Sequence, residues 1–173
     1  TVQDTIAPVA IAQDITVQLD AMGAASITAS QINNGSSDAC GIASLSISPS
    51  WFGCANVGDN TVTLTVTDNN GNLSLAQATI TVMDEIDPVV LAQDVTVQLD
   101  ANGAGSVTAV QIDNGSFDNC GIASLLLEED GGSFVESLSF DCSHVGSNEV
   151  AILATDVNGN EGEVMVTVTV EDN

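Results

Sequence analysis

The chain has 173 residues, with 24 aspartates and glutamates, one histidine and neither lysine nor arginine, giving a formal charge of −24. Nucleic-acid backbones and anionic membrane surfaces are gripped by Lys and Arg, so neither is a direct partner of this chain. A P-loop lysine, a Schiff-base lysine, an arginine clamp and a Lys–Asn isopeptide staple are excluded on the same ground.

Residues 1–7 open with Thr1-Val2-Gln3-Asp4, which aligns with Thr81-Val82-Met83-Asp84 near the end of the first long segment. They are therefore expected to be the tail of a preceding repeat or a linker. From Pro8 the chain alternates apolar and polar residues: Ile15, Val17 and Leu19 against Thr16 and Gln18. The period of two continues in Val62, Leu64 and Val66 against Thr61, Thr63, Thr65 and Thr67, and in Ala78, Ile80 and Val82 against Thr79 and Thr81. β-Branched residues at alternate positions describe half-buried strands, and no window of useful length has helical spacing. Turn signals break the runs at Asp20–Gly23, Asn33-Asn34-Gly35 and Asp68–Gly71.

The second half repeats the first. Pro8–Leu45 returns as Pro88–Leu125 with 28 of 38 positions identical, at an offset of 80 residues. The offset grows to 88 by Cys142, the counterpart of Cys54, after extra residues around Glu128-Glu129-Asp130-Gly131-Gly132-Ser133 that predict an extended surface hairpin. A period near 80 residues indicates tandem domains. The expected division is one domain over residues 8–83, an acidic linker at 84–87 (Asp84-Glu85-Ile86-Asp87) and a second domain over 88–173. Short strands with turns every 8–12 residues predict an all-β chain of two tandem Ig-like antiparallel sandwiches, beads on a string.

Each repeat carries two cysteines, Cys40 with Cys54 and Cys120 with Cys142. One even pair per repeat predicts an in-repeat disulfide and an oxidising, extracellular setting. Two buried free thiols per domain are the rival expectation. A zinc site is disfavoured, because the chain has no CxxC and His144 has no counterpart in the first repeat. Trp51, beside Phe52, is expected to pack in the core rather than to stack on a sugar.

Enzymatic chemistry is not expected. Carboxylates are the only abundant reactive groups, they sit in turns and linkers, and the repeats duplicate them; His144 has no nucleophile context. Hard-cation binding is the better use of these oxygens, since Ca²⁺ takes six to eight oxygen ligands. Asp68-x-Asn70-Gly71-Asn72 and Asp156-x-Asn158-Gly159-Asn160 alternate oxygen side chains around a glycine, although Asn-Gly turns are also a plain hairpin signal. In an Ig-like order those turns share a pole with the loop at Asp38 or at Asp118 and Asn119. The candidate Ca²⁺ ligands are thus Asp38, Asp68, Asn70 and Asn72 in the first repeat. For the second they are Asp118, Asn119, Asp156, Asn158 and Asn160 with the linker acids Asp84, Glu85 and Asp87, and an ion there is expected to stiffen the junction.

The segments PVAIAQDITVQLDAMGAASIT, SSDACGI, FGCANVGDNTVTLTVTDNNGN and QATITVMD resemble the hyalin-repeat group of Ig-like domains. They are particularly similar to the tandem repeats of large secreted adhesins and gliding-motility surface proteins of Bacteroidota. The resemblance covers both repeats nearly end to end. It implies an extracellular β-sandwich used as a spacer or adhesive module, partnered by neighbouring repeats of its array. A self-assembling filament, with copies paired through β-strands, is the alternative expectation. A carbohydrate-binding module is a third, with surface glycans or solid surfaces as targets.

Overall fold

A computed structural model describes residues 3–129 and 131–172. Thr1 and Val2 of the expected preceding tail, Asp130 of the inserted hairpin and Asn173 of the second domain lie outside the described residues. The chain divides into two compact units, Thr1–Glu85 and Ile86–Asn173.

In the first unit, β1 (Ile15–Gln18), β6 (Leu73–Met83), β5 (Gly58–Asp68) and β3 (Ile42–Ser48) form one sheet in the order β1-β6-β5-β3. β1 runs parallel to β6, and the other neighbours are antiparallel. β2 (Ala24–Ser26) and β4 (Trp51–Gly53) pair antiparallel as a second sheet. The period of two decides which face goes inward: Val62, Leu64 and Val66 of β5 and Ala78, Ile80 and Val82 of β6 are buried. With Leu19, Ile27, Ile32 and Phe52 they make the apolar core between the sheets.

The second unit repeats this plan. β7 (Val95–Gln98), β12 (Glu161–Glu171), β11 (Gly146–Asp156) and β9 (Ile122–Glu129) form the larger sheet, and β8 (Ala104–Thr108) pairs with β10 (Ser137–Asp141). Its core gathers Leu99, Val107, Ile112, Leu127, Phe140, Val150, Ile152, Val166, Val168 and Val170. The inserted residues extend β9 and turn back as a short hairpin, with Leu127 and Val135 exchanging backbone hydrogen bonds of 2.7 and 2.8 Å.

Two features depart from the sequence-based expectation. Each unit contains a short α-helical turn, α1 (Ala29–Ile32) and α2 (Ala109–Ile112). A single turn is too short to show a 3.6-residue period; it is marked instead by a capping pair, in which Gln31 Oε1 accepts from Thr28 N at 2.7 Å and Gln111 Oε1 from Thr108 N at 2.9 Å. Trp51 is not a core residue: it is 61% exposed, whereas Phe52 is fully buried. Adjacent strand residues point to opposite faces, so only one of the two rings can enter the core. The indole lies back over Gly53, where an added Cβ would meet Trp51 Cη2 at 2.9 Å.

Phe52→Ala should therefore cost about 3–5 kcal/mol in urea denaturation, the usual range for deleting a buried aromatic. Trp51→Ala should change stability by less than about 1 kcal/mol; equal losses from the two substitutions would contradict the assignment of faces.

Candidate functional site

β5 alternates inward and outward to its end, so its last inward position falls on Asp68, which is 1% exposed. A carboxylate delivered there by strand periodicity needs donors, and the turn supplies them. Asp68 Oδ1 accepts from Asn70 N and Asn72 N, both at 2.8 Å, and Oδ2 accepts from Asn72 Nδ2 at 2.7 Å. Gly71, at φ 90°, closes the turn in a conformation that favours glycine. The second unit reproduces the arrangement at Asp156, whose Oδ1 accepts from Asn158 N, Gly159 N and Asn160 N and whose Oδ2 accepts from Asn160 Nδ2 at 2.8 Å. Burial alone would raise both carboxyls; the side-chain and backbone hydrogen bonds of Asn72 or Asn160 and their turn neighbours outweigh it and hold both below the ordinary value.

The loop before β3 meets this turn at one pole of the unit. Asn69 donates to Gly41 O at 3.1 Å through its backbone and to Cys40 O at 2.8 Å through its side chain. The segment entering the unit joins them, since Asn72 Nδ2 also reaches Asp4 O at 3.3 Å and Ile6 O at 3.2 Å. Asp4, Asp38 and Cys40 each bring a ligand atom within 4.8 Å of the others. Asp4 is a residue that motif spacing alone overlooks. Its signal is the repeat itself, because Asp4 aligns with the linker residue Asp84.

The equivalent pole of the second unit is held by Val157 N donating to Gly121 O at 3.1 Å. Asp118 and Asp156 present carboxylate oxygens within 4.8 Å of one another. Asp118 Oδ1 accepts from Cys120 N at 2.7 Å and Gly121 N at 3.0 Å. Its Oδ2, and Oδ1 of Asn158, are buried with no hydrogen-bond donor. Asn119 is half-buried beside them, and Asn160 is committed to Asp156. Asn70 is exposed, with its backbone N–H on Asp68. Asp84 follows β6 directly, Glu85 is exposed at the end of the first unit, and Asp87 is exposed in the second.

The cysteines overturn the expected in-repeat disulfides. Cys40 and Cys142 are free and exposed, whereas Cys54 and Cys120 are disulfide-bonded. Neither Cys40–Cys54 nor Cys120–Cys142 is formed, and the expectation of buried free thiols fails as well. The cause is the length of β5. Cys40 lies at the Asp68 end, while Cys54 precedes Gly58 at the other end with its Sγ 3.8 Å from Gly23 O. Eleven residues of strand separate the two by about 30 Å at roughly 3.3 Å per residue, far beyond the ~7 Å Cα limit of a disulfide. β11 separates Cys120 from Cys142 in the same way.

His144 sits in an exposed 3₁₀ turn, Cys142–His144, with Nδ1 2.9 Å from Asp141 Oδ1. Ser143 Oγ donates to that same carboxylate oxygen and lies 3.4 Å from His144 Nδ1, so Asp141 caps the turn and engages both side chains.

No protein-family model matches the sequence, and no curated protein matches it. Solved structures match the fold. The extracellular domain of protocadherin γB4 aligns over 98% of this chain and 33% of its own, at 15% identity and TM-score 0.47. Immunoglobulin domains 1–4 of sidekick-1 align over 96% of this chain and 48% of theirs, at 11% identity and TM-score 0.45. An endo-fucoidan hydrolase of glycoside hydrolase family 107 aligns over 75% of this chain and 28% of its own, at 13% identity and TM-score 0.30. The chain spans about half the length of the sidekick-1 structure and of protocadherin γB7 domains 1–4. Each unit is an Ig-like β-sandwich. Likeness at this level describes the fold alone.

Asp68 and Asp156 carry a pH signature. A carboxyl with a depressed folded pKa contributes stability that is present above its unfolded value, about 3.9, and is lost as pH falls through the folded value. The melting temperature should therefore fall as pH drops from about 5 toward 2, and Asp156→Asn should flatten that limb when Tm is followed by circular dichroism. An unchanged acid limb in Asp156→Asn would contradict the role assigned to its charge.

Proposed function

We propose that this chain is a non-enzymatic, extracellular structural or adhesive repeat segment of the hyalin-repeat kind, whose acidic poles bind divalent cations, Ca²⁺ foremost. One observation carries the cation: Asp118 Oδ2 and Asn158 Oδ1 are buried without donors beside the Asp156 carboxylate, in a chain that contains no lysine or arginine. An unpaired buried acceptor costs about 1–3 kcal/mol, and a hard cation with oxygen ligands at 2.3–2.6 Å removes that cost. In the first unit, Asp4 and Asp38 supply the corresponding oxygens. The thiol of Cys40, a soft ligand, does not suit Ca²⁺. Asp84 holds Asp4's place one repeat later, so the same role is assigned to it, with the consequence that the ion stiffens the linker.

The extracellular assignment is supported by the disulfide-bonded cysteines, and no described helix is long and apolar enough to cross a membrane. The non-enzymatic reading is supported by the duplication of the acidic turns, at Asp68 and at Asp156, in two small sandwiches. A filament of strand-paired copies is the second reading. β3 supports it, as it is bonded on one side only, to β5. Electron microscopy separates the two readings, because a spacer forms no polymer.

Calorimetric titration with Ca²⁺ should show binding in the range of extracellular modules, about 10⁻⁴–10⁻³ M. Asp118→Asn should weaken the second-unit site at least tenfold while leaving a site that is lost on Asp4→Asn. EGTA should lower the melting temperature, and saturation at about a hundred times Kd corresponds to roughly 2.7 kcal/mol. No heat of binding together with a Tm indifferent to EGTA would end the cation proposal.

A further inference from the structure

We infer that Asn34 is a site of spontaneous covalent modification, where the Gly35 nitrogen expels the side-chain amide and leaves aspartate or isoaspartate. An asparagine followed by glycine favours this ring closure, because glycine has no Cβ to crowd its own nitrogen. The chain has four such pairs: Asn34-Gly35, Asn70-Gly71, Asn114-Gly115 and Asn158-Gly159. The attacking nitrogen must first lose its proton, so an acceptor that engages the glycine N–H protects the asparagine before it.

Three of the four glycines are engaged in this way. Gly71 N donates to Asp68 O at 3.2 Å, and Gly159 N donates to Asp156 Oδ1 at 2.6 Å. Gly115 N donates to Asp113 Oδ2 at 3.3 Å. Gly35 N has no acceptor among the described residues.

A single atom separates Gly35 from its repeat counterpart, Gly115. The two turns share their backbone course. Asn34 N donates to Ile11 O at 2.9 Å, Asn114 N to Leu91 O at 2.8 Å, and the glycines have φ 84° and 89°. Ahead of them stand Asn33 and Asp113, whose Oδ1 atoms accept from Ser36 N at 3.1 Å and Ser116 N at 2.9 Å. The carboxylate of Asp113 has a second oxygen for Gly115. The amide of Asn33 carries an NH₂ in that place, which donates and cannot accept. A carboxylate there also opposes the negative charge that the nitrogen must acquire. Both Asn-Gly pairs are exposed, and a Cβ built on either glycine would meet no atom within 4 Å. Exposure therefore gives the ring room to close but does not distinguish the two sites.

The chemistry needs only water. Hydroxide takes the Gly35 N–H proton, and the nitrogen attacks Asn34 Cγ. The bond from Cγ to the amide nitrogen breaks, that nitrogen takes a proton from water, and ammonia leaves a five-membered succinimide behind. Water then opens the ring at either carbonyl, giving aspartate or isoaspartate. One water is consumed and one ammonia released, hydroxide is regenerated, and nothing is oxidised. Each conversion adds a negative charge, and isoaspartate also lengthens the main chain by one carbon ahead of Asp38. The first unit thus changes with age at a position where the second is protected.

The test incubates the full chain, without Ca²⁺, at mildly alkaline pH and follows each asparagine by mass spectrometry and by enzymatic methylation of isoaspartate. Pepsin makes the peptides, because a chain without lysine or arginine offers trypsin no site. Asn34 should convert about fivefold faster than Asn114, the rate factor of one ordinary hydrogen bond of about 1 kcal/mol. Asn70 and Asn158 should also lag behind Asn34. Asn33→Asp should slow Asn34 to the rate of Asn114, and Asp113→Asn should raise Asn114 to the rate of Asn34. Each exchange installs the residue that the other repeat already carries in the same turn. Equal wild-type rates at Asn34 and Asn114, or rates that neither exchange moves, would overturn the protective role of Asp113. An Asn34 that stays an amide would overturn the site itself.

Discussion

A chain with no lysine or arginine must hold its carboxylates in place with neutral donors or with ions from outside. The strands make this acute, because an alternating pattern carried to the last residue of β5 and β11 drives Asp68 and Asp156 beneath the sheet ends. An aspartate there is tolerated only if the next four residues aim N–H groups back at it. Asn70, Gly71 and Asn72 follow from that need, as do Asn158, Gly159 and Asn160. The same turn then docks the loop at Cys40 or Cys120 and, in the first unit, the entering segment at Asp4. One buried charge thus organises a whole pole of each unit.

Where the donors are sufficient, the hairpin explains the motif fully and no ion is needed. Asp68 and Asp156 are in that condition, with both oxygens engaged. Asp118 Oδ2 and Asn158 Oδ1, in a loop and at a turn tip, are among the buried oxygens left without a donor. In both copies of Asp-x-Asn-Gly-Asn the first and last residues build the turn, and in the second copy the middle asparagine, Asn158, keeps a buried Oδ1 without a donor.

Much of this was legible in the sequence. The period of two located β5 and β6 and their buried faces, and the repeat located both units. The single helical turns were not, because four residues contain no period to read. Trp51 was misplaced because two adjacent aromatics in a three-residue strand leave parity undetermined until one ring is known to be inside. The cysteine pairing failed for a different reason. Even counting treats Cys40 and Cys54 as neighbours in sequence, yet the chain runs from one pole to the other between them, through β3 and β4. Asp4 was hidden by its position ahead of the repeat, although its alignment with Asp84 named it.

Duplication also allows each position to be read twice. Where both copies agree, as at Asp68 and Asp156, local turn chemistry suffices as the explanation, because the same residues build the same bonds in two separate cores. Where they differ, the cause has to be something other than the local sequence. Cys40 and Cys120 lie in nearly identical segments, SDACGI and DNCGI, with the same Asx hydrogen bond, yet one is a free thiol and the other is bonded. Cys54 and Cys142 differ in the same manner while resting against the same glycine carbonyl. The bonded and the free cysteines thus share their local backbone surroundings, so the state of the sulfur is not set by the residues beside it.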